Sequence, residues 1–217
     1  MPKFIITIIS FCLVAVIGCT HEQEHSPTTG DLTAAFAAQD SIANTQGSEP
    51  VVPVKPPTNQ EILVSNGYSS AKPSTGKLPK CYNFTPKTGK IKNYLAISVG
   101  SGTDVALKLV SEKSGKAIRY VFINSNDTYS IRNIPEGRYY SKIAYGHDWY
   151  SKTTGGKCSG KFAYSAHYEK GEVMDFTIQK DYDSYSVPSF SLSLDMISSG
   201  PSNTFNSVQI SEEVFND

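Results

Sequence analysis

Side chains able to do acid–base chemistry are few: the 217-residue chain carries four histidines, His21, His25, His147 and His167. A hydrolytic triad needs a nucleophile, a base and an orienting group held together. Serines are abundant, but no Gly-x-Ser-x-Gly elbow is present. His147-Asp148 offers a base beside a carboxylate, yet neighbours along a strand point to opposite faces, so no catalytic residue is assigned. Asp181, Asp183 and Asp195 come nearest to a calcium arrangement. The run Asp181-Tyr182-Asp183-Ser184-Tyr185 lacks the central glycine and closing glutamate of an EF-hand loop, and reads as a solvated acidic loop. There is no Cys-x-x-Cys pair and no glycine-rich phosphate loop, so neither a metal nor a cofactor is expected.

The aromatics offer more. Tyr139, Tyr140, Tyr145, Trp149 and Tyr150 cluster in one short stretch. An exposed ring beside polar groups holds a sugar or peptide by stacking while its polar tip hydrogen-bonds, and the same rings equally serve to fill a core. Gly146 to Gly160 reads as a loop ending near Cys158. Binding residues concentrate on loops held by a rigid scaffold, which makes Trp149, Tyr150 and Tyr145 the candidate ligand contacts.

At the N-terminus, Lys3 precedes an apolar run from Phe4 to Ile17. The run falls short of the roughly 20 residues of a comfortable membrane span. It ends in Val16-Ile17-Gly18-Cys19, a tetrad that resembles the lipobox of bacterial lipoproteins. The resemblance implies that residues 1–18 are a lipoprotein signal peptide and that Cys19, exposed by cleavage, carries the lipid, palmitate included. One acyl chain anchors only marginally, so several are required. The implied location is the cell envelope, lipid-anchored at the outer membrane. Cys12 leaves with the signal and Cys19 is lipidated, so Cys81 and Cys158 remain as an even pair in an oxidising compartment. A disulfide between them closes a loop of roughly 78 residues, worth roughly 4 kcal/mol in the chain-entropy model; two separate free thiols are the alternative.

The elements that must position these groups follow from composition and period. From residue 19 to 80 the chain is poor in large apolar side chains and rich in Ser, Thr, Gln, Pro and Ala, which predicts a disordered tether. From 81 to 217 aromatic and β-branched residues alternate at period two. Val105, Leu107 and Leu109 alternate with Ala106, Lys108 and Val110. Phe190, Leu192, Leu194 and Met196 alternate with Ser189, Ser191, Ser193 and Asp195. Ser114-Gly115 and Ile134-Pro135-Glu136-Gly137 punctuate the strands with turn residues. Short strands at such spacing predict an all-β domain, an antiparallel sandwich or barrel. Ser211 is placed to cap a terminal helical turn.

Thr128-Tyr129-Ser130-Ile131-Arg132-Asn133-Ile134-Pro135-Glu136-Gly137-Arg138-Tyr139-Tyr140 resembles the strand–turn–strand signature of transthyretin-like (prealbumin-like) and carboxypeptidase-regulatory-like domains. That resemblance implies an antiparallel β-sandwich and no particular activity. Ile118 to Ile123, Lys142 to Gly146 and Tyr168 to Gly171 are similar to segments of a family of uncharacterised exported bacterial proteins.

Twenty Lys and Arg balance twenty Asp and Glu, which argues against nucleic acid, because phosphate binding needs a concentrated positive surface. Taken together, these features predict a non-enzymatic envelope lipoprotein. It meets the membrane through its lipid anchor and a protein or glycan partner through its β-domain. The alternatives are a structural subunit of a surface assembly joined by strand addition, and an enzyme with an unrecognised site.

Overall fold

The computed structural model describes residues 55–197 and 200–217. The expected signal segment 1–18, Cys19 and the expected tether as far as residue 54 lie outside the described residues. In chain order the elements are α1 (Asn59–Ser65), β1 (Ser69–Ser70), β2 (Tyr94–Val99), β3 (Asp104–Ser111), β4 (Ala117–Ile123) and β5 (Thr128–Arg132). They continue with β6 (Arg138–Thr154), β7 (Lys157–Asp175), β8 (Gln179–Lys180), β9 (Tyr185–Ser186) and β10 (Phe190–Leu194). The last are β11 (Met196–Ile197), β12 (Gly200–Pro201), β13 (Ser207–Gln209) and α2 (Glu212–Asn216). The domain is therefore all-β in character, with two short helices.

The larger sheet has the order β13-β7-β6-β3-β4, and β1 pairs with the far end of β6; the smaller has the order β10-β2-β5. Leu95, Ile97, Ile131, Leu192 and Leu194 from the smaller sheet share one core with Val105, Leu107, Ile143 and Tyr145 from the larger. Period two explains the sorting: Val105, Leu107 and Leu109 reach that core, while Ala106 and Lys108 are buried on the opposite face. The smaller sheet is not wholly antiparallel. β10 runs parallel to β2, from Phe190 opposite Leu95 to Leu194 opposite Val99. A parallel neighbour needs a long crossover, and the chain from β3 to β9 supplies it.

The Asn-Ile-Pro-Glu-Gly turn is held from two sides. Asn93, buried, accepts from Ile134 N at 2.7 Å and donates to Ile134 O at 2.9 Å. Arg119 donates to the carbonyls of Ile118, Arg132 and Asn133. Asn133 itself takes a φ of 53°, which Asn tolerates better than most side chains.

Two corrections concern β6. The expected loop from Gly146 to Gly160 is instead the end of one hairpin. Thr154 pairs with Lys157, and Gly155 and Gly156 both take positive φ, as a two-residue hairpin turn requires. Gly146 does not end the strand but sits in a bulge, where the register shifts between Tyr145 and His147. A Cβ there would lie 2.4 Å from Phe162 Cβ, at a φ of 153°, so only glycine fits. The extra residue of that bulge is on β7, where His167 to Tyr164 spans three steps against two from Tyr145 to His147. Past Gly146 and Asp148, which both take positive φ, the faces of β6 are exchanged: Tyr145 lies in the core between the sheets, whereas Trp149 lies in the outer cluster with Phe122 and Phe162.

A third correction moves the domain boundary. Ordered structure begins well before residue 81. Thr58 and Glu61 form a capping box, with Thr58 N donating to Glu61 Oε2 at 2.6 Å and Glu61 N to Thr58 Oγ1 at 3.2 Å. The helix so started buries Leu63 against Tyr150 and Ala163. Further along, Gly76 N donates to Phe122 O, Phe122 N to Lys77 O and Lys87 N to Ile118 O. These bonds run along the outer edge of β4.

Candidate functional site

The three aromatics singled out from the sequence are not free to stack on a ligand. Tyr145, Trp149 and Tyr150 are 0, 2 and 6% exposed. Trp149 packs edge-on against Phe122 and Phe162, with centroids 5.9 and 4.8 Å away, and Tyr150 lies beneath α1. The Tyr145 hydroxyl lies 3.2 Å from Glu169 Oε2 and 3.1 Å from Asn203 Oδ1. Asn203 Nδ2 donates to the same carboxylate at 2.7 Å, and His167 Nε2 lies 3.3 Å from its other oxygen. Burial first, and the Glu169 charge second, raise the Tyr145 phenol far above its ordinary range. This network ties the chain around Asn203 to β7 and leaves the Glu169 carboxylate enclosed. His147 and Asp148 are exposed, and the Asp148 carboxylate accepts from Gln60 Nε2 at 2.8 Å. Among the described residues no three of His, Cys, Asp and Glu converge as metal ligands. Cys81 and Cys158 do meet, as a disulfide with Cα atoms 5.4 Å apart.

The arrangement with the most chemical content lies on the outer face of the larger sheet. Lys108 on β3 stands opposite Lys142 on β6, which stands opposite Lys170 on β7. Three like charges in a cross-strand row oppose one another. Each finds electron-rich company. Lys170 Nζ sits 4.3 Å from the Tyr140 ring centroid. Lys142 Nζ donates to Val214 O, and Lys108 Nζ donates to Phe215 O at 2.6 Å. The two acceptors are carbonyls at the C-terminal end of α2, the negative end of a helix, and α2 has no basic residue of its own in its last turn. Lys108 also lies 5.2 Å from the centroid of Tyr120 and 4.9 Å from that of Phe215.

Beside Lys108 opens a cleft of about 620 Å³. Its walls are the Cys81–Cys158 disulfide, Tyr82 and Phe84 from the segment before β2, Tyr120 from β4, Asn216 at the end of α2 and Asp217 after it. The size falls within the range of small-molecule sites, which combine aromatic walls with a few converging polar groups. Tyr82 and Tyr120 meet edge to face at 5.0 Å, their hydroxyls 3.5 Å apart. Burial pushes the Tyr82 phenol up to about 12 and Tyr120 well above its ordinary value. Burial, then the neighbouring Lys142 ammonium, push the Lys108 amine down to about 8 against the opposing pull of Asp217. Both phenols thus remain donors at neutral pH, while the buried amine stays mostly charged. Clustered shifts of this kind mark functional sites more often than chance.

Sequence reasoning passed over Lys108 because alternation set it only on the face opposite Val105, Leu107 and Leu109. One signal was present: Ala106 and Val110 share that face, and a solvated face carries larger polar side chains. The chain matches no family model, no curated protein and no solved structure.

Proposed function

We propose that the chain is a lipoprotein of the bacterial cell envelope, anchored at the outer membrane through Cys19, whose transthyretin-like β-sandwich serves as a non-enzymatic binding module. Two sheets enclosing one core support the sandwich reading, as does the placement of Thr128 to Tyr140 in β5, a clamped turn and the start of β6. The observation that carries the binding role is the cleft beside Lys108, an open concavity whose walls are fixed by a disulfide and whose floor bears a buried cation.

In-cell photocross-linking tests this reading. A photoreactive residue replacing Lys157, on the cleft rim, is expected to capture a partner or glycan that a probe at Tyr94 does not. Tyr94 is exposed on β2, in the smaller sheet. Identical adducts from both positions, or none from Lys157, would remove the cleft from the proposal. The palmitate label expected on the wild type, and lost in Cys19→Ala, tests the anchor separately. Assembly by strand addition is the weaker reading, because backbone bonds from residues 76–87 already run along β4 and Thr204 bonds the outer side of β10 at Ser193.

A further inference from the structure

We infer that the cleft receives a small organic monocarboxylate, with Lys108 as the cation that pairs with it and the rings of Tyr82, Phe84 and Tyr120 as the surface for its apolar body; the inference rests on the cleft being the ligand site. Burying an ammonium is costly unless a counter-charge accompanies it. Lys108 is 8% exposed, and among the described residues its one hydrogen-bond acceptor is the Phe215 carbonyl. An ammonium has three donors, so two N–H groups are left for the cleft. Lys142, directly opposite, likewise bonds a carbonyl alone. Neither lysine forms an ion pair among the described residues. Two adjacent buried cations hydrogen-bonded to neutral carbonyls share the nearby charge of Asp217 without an ion pair to it, and an incoming anion supplies the counter-charge they still lack.

The walls narrow the class. Tyr82 keeps its proton while its oxygen accepts from the Tyr120 hydroxyl, and so offers a hydroxyl that donates to a carboxylate oxygen. The two tyrosine rings and Phe84 suit a planar or apolar body. Glu213 and Asp217 also line the cleft. They stand against Lys108 and Lys157 in the same lining, so no surplus of positive charge is present to hold a dianion, which favours a carboxylate over a phosphate monoester.

Ligand-observed ¹⁹F NMR on the full chain in detergent, with 4-fluorobenzoate and 4-fluorobenzamide as matched probes, tests the inference. Occupancy by 4-fluorobenzoate should also protect Lys108 from acylation by N-acetoxysuccinimide, read by peptide mass spectrometry in the wild type. A charge-assisted bond predicts that the carboxylate binds about tenfold or more tighter than the amide. Lys108→Gln, checked for folding by circular dichroism, should abolish that preference. Equal affinity of acid and amide with Lys108 protected would overturn the carboxylate inference and leave the cleft as a ligand site. Tighter binding of phenyl phosphate than of 4-fluorobenzoate would overturn it too. Binding of neither probe, with Lys108 acylated as before, would overturn both readings.

Discussion

Lys108 holds its proton less tightly in the folded chain than in the unfolded one, and the sign of its contribution follows. Below about pH 8 the amine is charged in both states, and the fold bears the cost of the buried ammonium. As pH rises from about 8 toward the ordinary 10.5, the folded amine is neutral while the unfolded one still binds a proton. The unfolded state then binds more protons, so stability climbs. Lys142, lowered first by burial, adds in the same direction. The buried phenols act oppositely. Tyr82, at about 12, and Tyr120, Tyr145 and Tyr168, all raised first by burial, stay protonated above the ordinary 10.0 while the unfolded phenols ionise. Stability in this alkaline region is therefore expected to rise from pH 8 by an amount on the order of 1–3 kcal/mol and to turn over near pH 10. Urea unfolding at fixed pH steps reads this directly, and Lys108→Met should flatten the climb while keeping the fall. A steady decline from pH 8 would contradict the burial of Lys108.

Single side chains gain these environments from elements that the sequence displays unequally. Helix α1 is the clearest case. Its apolar residues, Ile62, Leu63 and Val64, are diluted by polar and proline-rich neighbours, so composition over a long window reads as tether, yet Thr58-x-x-Glu61 is a capping box and Leu63 has a place prepared between Tyr150 and Ala163. Leu63→Ala is expected to cost about 2 kcal/mol, the lower end for a buried leucine because the cluster is small and can relax. A shift of the denaturation midpoint with an unchanged slope checks it, and no shift would return residues 58–80 to the tether. The strands were legible wherever period two was unbroken: in β10, Leu192 and Leu194 are buried and Ser191 and Ser193 exposed as alternation requires. Reading failed where alternation changed phase. Gly146 looks like punctuation, but β6 continues past it, opposite a bulge in β7, with the faces exchanged, and so Trp149 is hidden. Gly155-Gly156 was the usable sign of the hairpin, lying between Thr153-Thr154 and Lys157. The disulfide was legible from the cysteine count and the export that the lipobox resemblance implies. The cleft was not, because Lys108 becomes buried only when residues 71–84 and α2, remote in sequence, cover its face.

At the scale of the whole domain, that cover explains why one disulfide matters. The inter-sheet core is built from paired strands, whereas the outer face of the larger sheet is closed by an N-terminal segment and a five-residue helix. A short helix has little stability of its own, and the segment from Ala71 to Phe84 has no strand ladder. Ala71, Leu78, Tyr82 and Phe84 are only partly buried there. The Cys81–Cys158 bond pins this segment to the tip of the β6–β7 hairpin across 77 residues of chain. Chain-entropy reasoning gives the link roughly 4 kcal/mol. Cys81→Ser with Cys158→Ser is expected to lose about that much in urea unfolding and to loosen the cover before the core. Hydrogen exchange should then quicken at Tyr82 and around α2 while β3 amides stay protected below the global unfolding limit. Since both cysteines line the cleft, 4-fluorobenzoate binding should weaken in conditions where the core is still folded. Uniform acceleration of exchange across both faces would mean instead that cover and core unfold as one unit, with the disulfide stabilising the domain and not shaping the site.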